Sequence, residues 1–196
     1  MRQLVLASSN PGKIREIGQI LATLGIEIVP QSALAVPQAE EPHATFIENA
    51  LAKARHAARR TGLPALADDS GICVDALQGA PGVGSAHFAG EPRSDARNNR
   101  KLLEVLEVEN NRRAHYYCVM VLMRHGDDPQ PMVADGEWRG EILRAPRGNG
   151  GFGYDPLFFD PVLGETGAQL SPELKNRVSH RGKALAELVE RLKQSA

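Results

Sequence analysis

The chain has 196 residues, of which 42% are hydrophobic and 24% are charged, values typical of one globular domain with a buried core. Its 23 Lys and Arg residues nearly balance its 24 Asp and Glu residues, so a formal net charge of −1 provides no overall field for nucleic acid or an anionic membrane. Two cysteines favour a reducing, cytoplasmic setting, and no stretch approaches the roughly 18 apolar residues of a membrane span. We therefore expect a single domain over residues 1–196, with any anion site being local.

The N-terminal region predicts a strand, a loop and a helix. Residues 4–7 are apolar, and Ile and Leu residues recur at helical spacing from Ile14 to Leu24, with Gly25 as the stop. The loop between them consists of Ser8, Ser9, Asn10, Pro11, Gly12 and Lys13. A loop at a helix N-terminus favours anions, because backbone N–H groups and the positive end of the helix dipole point there. The alternative is a capped helix start with a purely structural role.

A second strand is predicted at residues 26–29, and a helix is predicted from Thr45 to about Arg60. Thr45 and Glu48 have the spacing of a capping box. Glu41, just before this helix, fits either a solvated acid or a metal ligand, and Lys53 on the helix fits a surface charge.

Two adjacent acids, Asp68 and Asp69, follow the apolar run of residues 63–67, which predicts a buried strand. Ser70-Gly71 predicts the turn that ends this strand. Because strand side chains alternate, the two carboxylates should not point the same way. Carboxylate oxygens suit Mg²⁺ or Mn²⁺, so one interpretation is a cation site, and the alternative is a turn with solvated acids.

The following region predicts a mixed α/β sheet that is partly antiparallel. Residues 79–85 predict a loop, and Ser94 or Asp95 predicts the cap of a helix. Residues 116–123 predict a long strand. Residues 132–134 and 138–143 predict two strands joined by a tight hairpin at Asp135-Gly136.

Two late segments combine glycine, aromatic and charged residues. Four glycines lie within residues 148–153, where Phe152 and the following Tyr154 could stack on a planar base. The alternative is a mobile hairpin loop with core aromatics. Ser171 and Pro172 predict a helix start, and Ser179-His180-Arg181-Gly182 opens the last helix, either to bind an anion or base carbonyl or as a cap with surface charges.

Taken in order along nearly the whole chain, these motifs resemble the inosine triphosphate pyrophosphatase family, in its bacterial branch. The blocks that carry the resemblance are Ser8-x-Asn10-x-x-Lys13, Glu41, Thr45-Phe46-x-Glu48-Asn49-Ala50, Lys53, Asp68-Asp69-Ser70-Gly71, Gly151-Phe152-Gly153-Tyr154-Asp155-Pro156 and Ser179-His180-Arg181-Gly182. The resemblance implies a mixed central sheet with flanking helices and two lobes around an active-site cleft. It also implies a homodimer that uses Mg²⁺, with Mn²⁺ as a substitute. The cysteine content, the charge balance and the lack of a long apolar stretch predict a cytoplasmic protein that binds neither nucleic acid nor membrane.

The activity implied by the resemblance is hydrolysis of ITP, dITP and XTP to the monophosphate and pyrophosphate, which removes aberrant purines from the nucleotide pool. Asp69 would be the catalytic base, and Glu41 and Asp69 would hold the metal, with Asp68 close by. Ser8 to Lys13 and Lys53 would bind phosphates. The other implied substrate contacts are Ser70, Phe152, Gly153, Tyr154, Asp155, Lys175, His180 and Arg181.

One departure concerns Ser85-Ala86-His87-Phe88, because relatives commonly carry arginine at the position of His87. A fixed charge is thereby replaced by a titratable one, and the role of this loop stays open. Two other functions remain as alternatives: a pyrophosphatase for modified pyrimidine triphosphates, and a nucleotide sensor without turnover.

Overall fold

The computed structural model of the protein describes residues 3–194. The strands of this range are β1 Gln3–Leu6, β2 Glu27–Pro30, β3 Ala65–Val74, β4 Arg113–Met123, β5 Met132–Ile142, β6 Phe158–Asp160 and β7 Glu165–Thr166. Its α-helices are α1 Pro11–Ala22, α2 Phe46–Thr61, α3 Asp95–Val105, α4 Pro172–Val178 and α5 His180–Gln194. No helix within the described range is both long and apolar enough to cross a membrane.

The strands form one sheet in the order β2-β1-β3-β4-β5-β6-β7. β1 pairs in parallel with both β2 and β3, whereas β6 pairs antiparallel with both β5 and β7. This confirms the predicted mixed α/β sheet with flanking helices.

The helix starts follow the predicted capping chemistry. Asn10 caps α1, with Pro11 as the first helical residue. Thr45 Oγ1 accepts a hydrogen bond from Glu48 N at 3.4 Å at the start of α2, and Ser171 Oγ accepts from Leu174 N at 3.2 Å at the start of α4. Short polar side chains thus satisfy N–H groups that the first turn of a helix leaves without helical partners.

The predicted turn at Ser70-Gly71 is wrong, because β3 continues through it to Val74. A Cβ at residue 71 would overlap Gly82 O and Ser85 Oγ, and Ile72 N donates to Ser85 Oγ at 2.9 Å. The glycine therefore permits a close backbone approach within a strand rather than a turn.

The predicted hairpin at Asp135-Gly136 is also wrong, because β5 is one strand from Met132 to Ile142. Asp135 is exposed, and its two neighbours in the strand are buried. Asp135 N donates to Glu187 Oε2 at 3.2 Å. The polar residue thus fills an outward position of an alternating strand.

The chain divides into two compact units. Unit 1 contains the described residues up to Asp69, residues 118–136 and residues from Arg181 on, and unit 2 contains residues 70–117 and 137–180. The core of unit 1 includes Leu4, Leu6, Ile17, Leu21, Leu66, Met120, Leu122, Leu185 and Leu188. The core of unit 2 includes Ile72, Val74, Leu102, Leu106, Tyr116, Trp138, Leu157 and Phe158. The single-domain assignment and the active-site cleft stay predictions.

Candidate active site

The loop before α1 is held by its own side chains. Asn10 Oδ1 accepts from Gly12 N at 2.9 Å and from Lys13 N at 3.3 Å, and Ser8 Oγ accepts from Asn10 N at 3.2 Å. Ser9 Oγ accepts a hydrogen bond from Gln38 Nε2. Two of the N–H groups at the helix start are therefore already satisfied, so an anion here would be attracted mainly by the Lys13 charge and the helix dipole.

Asp68 lies fully buried in β3 among positive groups of unit 1. Its Oδ2 is 2.9 Å from Lys13 Nζ and 3.5 Å from Arg181 Nε, and Cys118 Sγ donates to the same oxygen at 3.9 Å. Burial alone would raise the pKa of Asp68, but the charges of Lys13 and Arg181 lower it well below its ordinary value. Asp68 is therefore an ionised carboxylate that holds two cations in place.

Asp69, the next residue of β3, has different partners in the same unit. Its Oδ1 accepts from Lys53 Nζ at 3.0 Å, and its Oδ2 accepts from Asn49 Nδ2 at 3.4 Å. This agrees with the predicted alternation of the two carboxylates along a strand. Burial raises the pKa of Asp69 above its ordinary value, and the charge of Lys53 opposes this shift only in part.

Glu41 and Asp69 are joined by Lys53, whose Nζ donates to Glu41 Oε2 at 2.9 Å. Burial alone would lower the pKa of Lys53, but the charges of the surrounding carboxylates raise it above its ordinary value. Among residues 3–194, no three His, Cys, Asp or Glu side chains are grouped so that they could hold a metal ion. Two carboxylates nevertheless fit Mg²⁺, which proteins usually bind through one or two carboxylates together with substrate phosphates.

Two supporting residues of unit 1 lie outside the predicted site residues. Asn49 precedes Lys53 by one helical turn on α2, so both side chains reach Asp69 from the same helix face. Asn49 also exchanges hydrogen bonds of 3.1 Å with the backbone of His43. Glu16 lies 2.5 Å from Arg181 Nη1. The (i, i+4) spacing could have indicated Asn49, whereas no local pattern links Glu16 with Arg181.

In unit 2, Asp155 organises the glycine-rich loop. Its Oδ2 accepts from Phe152 N at 2.8 Å and from Lys175 Nζ at 2.6 Å. Lys175 Nζ also lies 4.7 Å from the centre of the Phe152 ring, a cation–π distance. Three of the predicted substrate contacts thus form one cluster in unit 2.

The same loop is anchored by residues that the sequence analysis did not assign to the site. Gly153 N donates to Asp95 Oδ2 at 2.7 Å, and Gly153 O accepts from Asn99 Nδ2 at 2.8 Å. The Tyr154 ring is buried, and its hydroxyl donates to Ser85 O at 2.8 Å. The buried side chain of Tyr154 therefore anchors the loop to the interior of unit 2.

His180 and Arg181 are neighbours in sequence but have different surroundings. The His180 ring stacks on Tyr116 within unit 2, with centres 4.6 Å apart and an angle of 8° between the rings. The Arg181 guanidinium lies in unit 1 with Asp68 and Glu16. Ser70 lies half-buried in β3, directly after Asp69.

His87, the position of the noted departure, lies in the 3₁₀ segment Gly82–His87. Its Nδ1 is 2.9 Å from Glu91 Oε1, and both side chains are exposed. The structure thus gives His87 an exposed acidic partner four residues further along the chain.

Comparison with known proteins identifies the family. The Ham1 family profile matches residues 4–191, which is nearly the whole chain. The chain belongs to the Ham1 family. This confirms the resemblance that the sequence motifs predicted.

Ham1-family proteins of known structure share the fold. A HAM1 protein from Coxiella burnetii superimposes with a TM-score of 0.92 at 48% identity, covering 99% of this chain and 100% of the other. The Ham1 protein of Staphylococcus aureus gives a TM-score of 0.88 at 39% identity, with the same coverage. The dITP/XTP pyrophosphatase of Nitrosomonas europaea is 65% identical over 195 residues, covering 100% of this chain and 96% of that protein.

Proposed function

We propose that this Ham1-family protein is a nucleoside-triphosphate pyrophosphatase. It would hydrolyse ITP, dITP and XTP to the monophosphate and pyrophosphate, and so remove aberrant purines from the nucleotide pool. The name of the relative from Nitrosomonas europaea, dITP/XTP pyrophosphatase, supports this class of reaction. The observation that carries the proposal is Asp69, a buried carboxylate of raised pKa beside Lys53 and Glu41.

In this mechanism Asp69 accepts a proton from the water that attacks the α-phosphorus of the triphosphate. A carboxylate with a raised pKa is a stronger base, which suits proton abstraction near neutral pH. Lys13 and Lys53 neutralise the phosphate oxygens, and pyrophosphate is the leaving group. Mg²⁺, or Mn²⁺ in its place, would be held by Glu41 and Asp69, and when bound it would supply further charge stabilisation at the phosphates.

Base recognition is assigned to the cluster of Phe152, Asp155 and Lys175, together with His180. An aromatic ring offers a stacking surface for a purine. A hydrogen-bond donor of the protein directed at the 6-position would pair with the oxygen of hypoxanthine or xanthine. Adenine carries an amino group there, which is itself a donor, so the donor of the protein would stay unpaired. An unpaired buried donor costs about 1–3 kcal/mol, which is enough to disfavour ATP.

We also propose that the enzyme is a cytoplasmic homodimer. Cys73 and Cys118 are both free thiols, which agrees with a reducing compartment. Light scattering on the purified protein tests the dimer, and a monomer at micromolar concentration would contradict it.

The experiment is to measure pyrophosphate release from ITP, XTP, GTP, ATP and a modified pyrimidine triphosphate, with Mg²⁺ and again with chelator. We expect strong release from ITP and XTP that the chelator abolishes, and little release from ATP. Separate assays for pyrophosphate and inorganic phosphate identify the bond that is cut.

Each alternative function gives a different result in this panel. Binding of ITP without any release would favour the nucleotide sensor. A preference for the pyrimidine would favour the related pyrimidine enzyme. Release of inorganic phosphate alone would contradict cleavage between the α- and β-phosphates.

A further inference from the structure

Lys53 lies between two carboxylates and contacts both of them. Its Nζ is 2.9 Å from Glu41 Oε2 and 3.0 Å from Asp69 Oδ1. These are the two side chains that the proposed function assigns to Mg²⁺. A single ammonium group therefore occupies the oxygens that a divalent cation would need.

The two oxygens of Asp69 have different partners: one binds a flexible side chain, and the other binds a side chain that is held in place. Oδ1 is bound by the Lys53 ammonium, at the end of a four-carbon chain with several rotatable bonds. Oδ2 is bound by Asn49, which is itself held by two hydrogen bonds to the His43 backbone. Departure of Lys53 would therefore release Oδ1 while the carboxylate stayed in position.

The neighbouring carboxylate, Asp68, already compensates the charges of two other cationic side chains. Asp68 Oδ2 is already contacted by Lys13 and Arg181 in the same unit. A displaced Lys53 loses its contacts with Glu41 and Asp69, and the phosphates of the substrate supply a new anionic partner.

We propose that Lys53 is an exchangeable counter-ion that competes with the divalent cation for Glu41 and Asp69. In the metal-free protein it holds the two carboxylates together. When the nucleotide and its metal bind, the ammonium moves to the phosphates, so metal affinity is weak without nucleotide. The inference rests on the proposed metal site, and it makes Lys53 a positioning residue as well as a phosphate contact.

The test is to measure Mn²⁺ binding to the nucleotide-free protein by electron paramagnetic resonance. Lys53→Met removes the competing charge while keeping an unbranched side chain, and we expect Mn²⁺ to bind about tenfold tighter or more, a difference of about 1.4 kcal/mol. Lys53→Arg keeps the charge and should bind Mn²⁺ within about twofold of wild type. Combining Lys53→Met with Asp69→Asn should remove the gain.

Arg55→Met is the matched control, because it makes the same charge change on the same helix. Side chains two positions apart on a helix do not face each other, so Mn²⁺ affinity should stay within about twofold of wild type. An equal gain in Arg55→Met would show a general charge effect and overturn the proposal.

Three other outcomes would also overturn the proposal. Lys53→Met could bind Mn²⁺ no more tightly than wild type, Lys53→Arg could bind Mn²⁺ as tightly as Lys53→Met, or no folded variant could bind Mn²⁺ at all. Circular dichroism checks folding. If Lys53→Met does not fold, Lys53→Gln replaces it, because glutamine removes the charge but keeps a hydrogen-bond donor. We expect Lys53→Gln to bind Mn²⁺ more tightly than wild type as well. Because no nucleotide is present, the result is independent of whether wild-type protein hydrolyses ITP, which the substrate panel tests.

Discussion

Asp69 has an ammonium group on one oxygen and a carboxamide on the other. In Asp69→Asn the side chain keeps its size, but its one amide oxygen cannot accept from both donors in their present places, and it can no longer accept a proton. We expect turnover of ITP to fall by about 100- to 10,000-fold, the usual contribution of a general base. Steady-state kinetics with ITP and Mg²⁺ measure this, and circular dichroism checks the fold.

Asp127→Asn is the control for this variant. Asp127 is also in unit 1, but its side chain is exposed and pairs with Arg59 at the surface. An exposed ion pair contributes little, so turnover should match wild type. Near-wild-type turnover in Asp69→Asn would remove Asp69 from the proposed role.

The individual site residues were predictable to different extents. The motif blocks indicated Asp69, Lys53 and Glu41 from the sequence, and the structure brings these three together in unit 1. Glu16 was not predictable, because its contact with Arg181 joins α1 to the start of α5 across 165 positions of the chain. Local patterns carry no information about such pairs.

Among the elements, the glycine-rich loop has a conformation that leaves no room for a side chain beside Asp155. Gly151 has φ +71°, and a Cβ there would overlap the Asp155 carboxylate, whereas Gly153 has φ +64° and open space at its Cβ position. Alanine at either position adopts a left-handed conformation at a cost of about 1–2 kcal/mol. Only Gly151→Ala should displace Asp155 from Phe152 and Lys175.

We therefore expect Gly151→Ala to raise KM for ITP by about tenfold or more, because displaced binding groups lose substrate affinity. Gly153→Ala should lower thermal stability through the same cost of about 1–2 kcal/mol for a left-handed alanine, but its KM for ITP should change less than that of Gly151→Ala. Parallel melting curves and steady-state kinetics separate the two effects. Equal KM values in the two variants would show that Asp155 does not position this loop for substrate.

The two errors in the predicted elements have a common cause. Ser70-Gly71 and Asp135-Gly136 both have the composition of turns, yet both lie inside long strands, β3 and β5. Composition reports local preference, but the backbone of β3 next to Gly71 donates a hydrogen bond to the distant Ser85, and the close approach of Gly82 leaves no room for a side chain at residue 71. Tertiary contacts of this kind override turn propensity.

At the scale of the whole molecule, stability should fall at acid pH. Asp128 accepts from Arg124 Nε at 2.8 Å and from the backbone N–H groups of Arg124 and Gln130 at 3.0 Å. These hydrogen bonds, first of all that from the Arg124 side chain, lower the pKa of Asp128 below its ordinary value of 3.8. A lowered folded-state pKa contributes stability that is present above about pH 4 and is lost as the pH falls further.

Asp128→Asn tests this contribution. At pH 7 we expect Tm to fall by about 2–8 °C, because an amide cannot accept from all of these donors. Denaturant unfolding between pH 7 and pH 3 should show a shallower acid-induced loss for the variant than for wild type. Parallel pH profiles would contradict a role for Asp128 in acid sensitivity.

The division of the chain into units has a consequence for its synthesis. The core of unit 1 combines Leu6 of β1 with Leu185 of α5, whereas all of unit 2 lies between Ser70 and His180. At about 5–20 residues per second, a ribosome needs roughly 10–35 s to travel from one of these leucines to the other. For that time the nascent strand β1 lacks the part of its core that α5 supplies, so unit 1 must complete its folding after unit 2 has been synthesised. Ribosome-bound chains stalled at residue 180 should accordingly be cut by protease near β1, and full protection of β1 at that length would contradict this order.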